Sequence, residues 1–176
     1  MPQHCDNTSV GVLITGGHGR YLMFDRATLP VGVAPPAGHV DDHGGFMIAA
    51  SNEVSEELGL TVATLEYVTG GWRDNKCRRK PGPKGTGHNW QVYLATVAGP
   101  MSPSPRETRN ARWLSLADIR SLAKRTADCA TGKITAAEFA EAPGIEPVWC
   151  QWLNDVGLTD LPQHDLTRIS RLAAGR

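Results

Sequence analysis

The run from Phe46 to Leu58 contains neither proline nor glycine and is followed at once by Gly59. This segment constrains the fold more than any other. Met47, Ala50, Ser51, Val54 and Leu58 recur at helical spacing, which predicts a helix with one side turned to a core. Gly59 stands where a helix C-cap glycine belongs. Asp41 or Asp42, in the polar glycine-bearing loop before the run, would cap its start. The same helix carries Glu53, Glu56 and Glu57. At about 100° per residue they lie at roughly 0°, 300° and 40°, inside one arc of about 100° beside the apolar side. Glu53 and Glu57 form an i,i+4 pair of like charge, which opposes the helix by a few tenths of a kcal/mol. No lysine or arginine lies between Phe46 and Leu60 to offset it. Two readings fit: a solvated acidic face, or a site for hard divalent cations that prefer oxygen ligands.

Around this helix the chain alternates between strand-like and helix-like patterns. Ser9–Thr15 and Tyr21–Phe24 read as a hairpin, with Gly16-Gly17-His18-Gly19 between them. The stretch from Pro30 to Pro36 reads as irregular. Thr61–Tyr67, Trp90–Val97 and Ala111–Leu114 read as strands, and Ser115 as the cap of a helix over Leu116–Lys124. The segments Ala136–Ala140, Pro147–Val156 and Leu166–Ala174 read as helices. With 176 residues the chain suits one domain, with a core over about 10–125 and a helical C-terminal extension over about 126–176.

Charge narrows the partners. Eighteen basic side chains balance eighteen acidic ones, so no global field selects nucleic acid or an anionic membrane. The N-terminus lacks the charged and apolar regions of a signal peptide, and no apolar run approaches the ~20 residues that span a bilayer. The expectation is a cytoplasmic protein without membrane contact. The four cysteines, Cys5, Cys77, Cys129 and Cys150, contain no Cys-x-x-Cys pair. They read as reduced packing residues, and a structural zinc site is not expected.

The neighbourhood of the three glutamates decides between the two readings of the helix. From Gly38 the sequence runs Gly38-x5-Gly44-x7-Asn52-Glu53-Val54-Ser55-Glu56-Glu57-Leu58-Gly59-Leu60. It resembles the Nudix box, G-x5-E-x7-R-E-U-x-E-E-x-G-U, where U is a bulky aliphatic residue. Three Glu and two Gly coincide by chance in a chain of this length at odds on the order of 10⁻⁴. Pro35-Pro36-Ala37 before the box and Ala111–Ile119 after it are also similar to the family. Gly44 and Asn52 depart from it: the family has Glu and Arg there, usually paired to brace the loop against the helix. Their joint replacement reads as loss of one salt bridge, with loop rigidity in doubt.

The resemblance implies a Nudix α/β/α sandwich with a mixed β-sheet and a metal-dependent pyrophosphohydrolase using Mg²⁺ or Mn²⁺. The metal ligands would be Glu53, Glu56 and Glu57 with the Gly38 carbonyl, and the catalytic base Glu53, then Glu56. Glu107 is the first candidate for a further acidic ligand. The substrate would be a phosphorylated small molecule, a nucleoside diphosphate derivative or nucleoside triphosphate. The alternative is a catalytically weakened nucleotide-binding or regulatory module.

Substrate recognition points to the loop Trp72–Lys84, which carries Arg73, Lys76, Arg78, Arg79, Lys80 and Lys84 against Asp74 alone. It reads as a mobile solubilising loop or as a phosphate clamp with Arg73, Arg78 and Arg79. Trp90 is a candidate to stack on a base, against ordinary packing. RNA 5′ ends are less favoured, because the basic loop lacks interleaved aromatics. Trp149 and Trp152 share one side of a helix and read as core, a homodimer contact being the alternative. His39 and His43 flank the box loop as surface or hydrogen-bonding groups.

Overall fold

The structure is a computed structural model that describes residues 4–41 and 43–176. The first three residues, part of the N-terminus compared above with a signal peptide, and Asp42, a candidate helix cap, lie outside these. The strands are β1 (Thr8–Gly16), β2 (Arg20–Arg26), β3 (Val33–Ala34), β4 (Ala37–His39), β5 (Thr61–Arg73), β6 (His88–Ala98) and β7 (Thr108–Leu114). The helices are α1 (Phe46–Leu58), α2 (Leu116–Ala130), α3 (Ala136–Glu141), α4 (Pro147–Asp155) and α5 (Gln163–Ala174). A short 3₁₀ turn, Gly17–Gly19, closes the β1–β2 hairpin.

Among the described residues the strands form one sheet in the order β3-β2-β1-β6-β5, with β4 paired to β1 and β7 to β2. β1 and β6 run parallel and the other pairs antiparallel, which makes the sheet mixed. Alternation along β1 divides the core. Val10, Val12 and Ile14 face α1 with Ala50, Val54 and Leu58. Leu13 faces the other way, among Ile119 and Ala123 of α2 and Trp149 and Leu153 of α4. Gly11 lies under Trp149, where a Cβ would overlap the indole ring. The result is helix, sheet, helix, an α/β/α sandwich.

Several elements depart from the sequence expectation. The N-cap of α1 is Gly45, without a side-chain cap; Asp41 lies further upstream, and its carboxylate pairs with Arg79. Met47 is exposed and Ala49 buried instead, since α1 meets the sheet through its small residues. β5 continues past Tyr67 to Arg73, so Gly70 and Gly71 are strand residues opposite Gln91 and Trp90. A Cβ on Gly70 would strike the Trp90 carbonyl, so glycine permits the close approach. The irregular stretch Pro30 to Pro36 contains the short strand β3, paired with β2, and β4 follows it, paired with β1 and carrying Gly38. α2 runs on to Ala130, and Ser115 and Asp118 close a capping box at its start. Trp149 and Trp152 are fully buried within the chain, which removes them as a dimer contact.

Candidate active site

The carboxylate site is built where α1 crosses the ends of β1 and β4. Register sets Gly38 opposite Val10, and α1 packs over both strands. A Cβ at Gly38 would overlap the Glu53 carboxylate, so glycine there lets Glu53 lie against the β4 backbone. Glu57, one turn further, is buried, and its Oε2 accepts a hydrogen bond of 3.0 Å from the Ala37 N–H. Glu56 is exposed. The three line a cavity of about 280 Å³ whose lining also includes Gly38, Arg26, Glu107 and Glu146.

This cluster is electrostatically strained in the absence of a cation. Burial, then repulsion from Glu56, Glu107 and Asp41, pushes Glu53 up to about 7 from its ordinary 4.5. Burial and the neighbouring Glu53 push Glu57 well above the usual carboxylate range. The Arg26 guanidinium opposes both shifts but does not cancel them. Carboxylates crowded in the lining of one cavity are the donor set that suits a hard divalent ion.

The loop between β5 and β6 forms another wall, and it is pinned at several points. Asn7 Nδ2 donates to the carbonyls of Gly85 and Gly87, at 3.0 and 2.7 Å. The Lys76 N–H donates to Ala173 O at 2.9 Å, and Arg176 pairs with Asp74 at 2.6 Å. Arg78 and Arg79 line the cavity, and Arg79 makes a two-pronged pair with Asp41. That pair holds the Asp41 carboxyl below its ordinary value. Arg73 goes elsewhere. Its guanidinium pairs with Asp155 at 2.5 Å and lies 4.1 Å from the Trp152 ring, so it ties β5 to α4 outside the cavity. Trp90 borders the cavity but is buried against Trp149, ring centroids 6.0 Å apart, an arrangement that favours packing over base stacking.

The brace expected to be missing has a substitute. Asn52 Nδ2 donates to His43 Nδ1 at 3.0 Å, linking α1 to the loop before it. Sequence reasoning also passed over Arg26 and Glu146. Arg26 sits at the end of β2, opposite Thr108, which brings Glu107 beside it. Glu146 is the buried N-cap of α4, accepting from the Trp149 N–H at 3.2 Å. Neither residue stands in a local motif.

Together, the fold and the carboxylate-bearing helix define a Nudix-type scaffold. The chain belongs to the NUDIX domain family, whose model matches residues 6–135. Members of this family generally hydrolyse phosphoric anhydrides and typically use divalent metals such as Mg²⁺ or Mn²⁺. The fold is similar to that of a MutT NUDIX hydrolase from Burkholderia pseudomallei, with a TM-score of 0.54 and 23% identity over 65% of this chain and 85% of that one. It is also similar to the E. coli dihydroneopterin triphosphate pyrophosphohydrolase, with a TM-score of 0.53 and 20% identity over 65% and 84%. A NUDIX-family hydrolase from Clostridium perfringens gives a TM-score of 0.52 and 21% identity over 65% and 85%. Comparison with curated proteins returns no match. The family match ends just before α3, so α3, α4 and α5 lie beyond it. No described helix is long and apolar enough to cross a membrane.

Proposed function

We propose that the chain is a Mg²⁺- or Mn²⁺-dependent pyrophosphohydrolase acting on a nucleoside diphosphate derivative or nucleoside triphosphate. The observation that carries this reading is the convergence of Glu53, Glu56, Glu57 and Gly38 in the lining of one cavity that Arg78 and Arg79 also line. The glutamates and the Gly38 carbonyl would hold the metal, with Glu107 as a further acidic ligand. A bound divalent ion would neutralise phosphate charge and lower the pKa of its water.

The side chains divide the remaining work. Glu53, set against the β4 backbone at Gly38, takes a proton from the attacking water. Glu57 uses one oxygen to fix β4 through Ala37 and leaves the other for a ligand. Arg78, exposed at the cavity wall, meets substrate phosphate, while Arg79 is oriented by Asp41. Water attacks phosphorus, the P–O bond to the leaving phosphate breaks, and two phosphorylated products result.

The test is a metal-dependent screen of nucleotides with product identification. Glu56→Gln and Glu57→Gln should each lower turnover by about 10²-fold or more while the protein stays folded. Absence of any phosphorylated product across the panel, with ligands still raising the melting temperature, would favour the binding module instead. The Asn52–His43 bond weighs towards the enzyme, because the loop retains a link to the helix.

A further inference from the structure

Four potential ligand atoms meet beside the carboxylate site without a local motif to announce them. Cys5 precedes β1, His39 ends β4, Cys77 lies in the basic loop and His88 opens β6. Pairing of Ser9 with both His39 and Trp90 draws these segments together. The ligand atoms of all four lie within 4.8 Å of one another. Cys5 Sγ is 3.4 Å from His39 Nε2 and 3.1 Å from His88 Nε2. Around a tetrahedral zinc ion, sulfur and nitrogen ligands stand about 3.3–3.8 Å apart, so closure needs shifts on the order of an ångström or less.

The tautomer of His88 follows from its neighbours. Trp90 Nε1 can only donate, and it reaches Asn75 Oδ1 at 3.3 Å. That atom therefore accepts, and His88 Nδ1, 2.8 Å away, is the N–H that donates to it. His88 Nε2 then carries a lone pair directed at Cys5 Sγ. An imidazole oriented through its other nitrogen by a buried amide is the outer-shell arrangement of metal-binding histidines. It also gives Trp90 a structural part, fixing Asn75.

We propose that Cys5, His39, Cys77 and His88 form a zinc site, separate from the Mg²⁺ or Mn²⁺ centre on α1. Two thiolates and two imidazoles match the tetrahedral S₂N₂ preference of Zn²⁺, and four protein ligands close the shell in the manner of a structural site. On binding, two S–H bonds give way to two Zn–S bonds, two protons leave to solvent, and the site becomes neutral overall. The ion would fasten the N-terminal segment and the Arg78- and Arg79-bearing loop to His39, the residue after Gly38. Missing Cys-x-x-Cys spacing does not exclude such a site, because four separate segments supply the ligands.

The experiment uses the full untagged chain, purified without chelators and analysed by elemental mass spectrometry. One zinc per chain is expected. It should remain in the Glu56→Gln/Glu57→Gln double variant and be lost in Cys77→Ser. Metal-free wild-type protein given Co²⁺ should develop thiolate-to-cobalt charge transfer and the strong visible bands of a tetrahedral ion. This measurement stands even if Cys77→Ser does not fold. Wild-type protein that contains no zinc and binds neither Zn²⁺ nor Co²⁺ would overturn the proposal. So would a Cys5–Cys77 disulfide in zinc-free protein, or zinc that is lost with the glutamates and kept in Cys77→Ser.

Discussion

At the scale of single residues, Gly38 and Asn52 matter for opposite reasons. Gly38 is required for what it lacks. In Gly38→Ala the new methyl group displaces the Glu53 carboxylate, so turnover should fall steeply, while circular dichroism shows the fold retained. Asn52 is required for what it adds. Asn52→Ala removes the bond to His43 and should cost about 1 kcal/mol, read from urea denaturation. Unchanged stability would show that this link does not brace the loop. The box glutamates were legible in the sequence because their spacing, 53, 56 and 57, is local to one helix. The His43 link was not, since the expected partner of position 52 was residue 44 and the bond formed with its neighbour.

At the scale of elements, the loop between β5 and β6 carries the basic residues and divides them by role. Arg73 still belongs to β5, and β5 directs it to Asp155 and Trp152. Arg73→Ala should therefore lower stability and leave KM unchanged. Arg78→Ala should raise KM severalfold with kcat retained, the pattern of lost ground-state and transition-state binding alike. Steady-state kinetics on the substrate from the nucleotide screen distinguish the two. In the sequence these arginines formed one charged tract, because composition does not show where a strand ends. The length of β5 is set by its pairing with β6 up to His88, which is a long-range contact.

At the scale of the whole molecule, the buried acids couple stability to pH and to metal. Glu53 and Glu57 are held above their ordinary 4.5, so the folded metal-free chain keeps protons that the unfolded chain has released. The Glu53 contribution is fully present below that value and is lost as pH rises through about 7, and Glu57 acts in the same direction. His88, lowered to about 4 by burial, acts oppositely as pH falls from its ordinary 6.5, which changes the starting melting temperature alike with and without Mg²⁺. The melting-temperature increase produced by Mg²⁺ should therefore be larger at about pH 8 than at about pH 6. Differential scanning fluorimetry on chelator-treated protein checks this, and Glu57→Gln should flatten the trend. An increase that is equal at both values would show that Mg²⁺ does not bind these carboxylates.

The sequence by itself determined the periodic elements and the local motif. The pattern of Phe46–Leu58, the alternation of Trp90–Val97 and the box spacing all depend on residues near each other in the chain. They sufficed for the placing of three glutamates on one helix and for the family resemblance that implied the α/β/α sandwich. Only the tertiary structure decided which distant groups meet. Strand register carried Cys5, His39, Cys77 and His88 to one point, set Glu107 beside Arg26, and turned Trp90 and Arg73 towards α4. Sheet pairing joins residues with no fixed separation in sequence, so no spacing rule could have announced these neighbours.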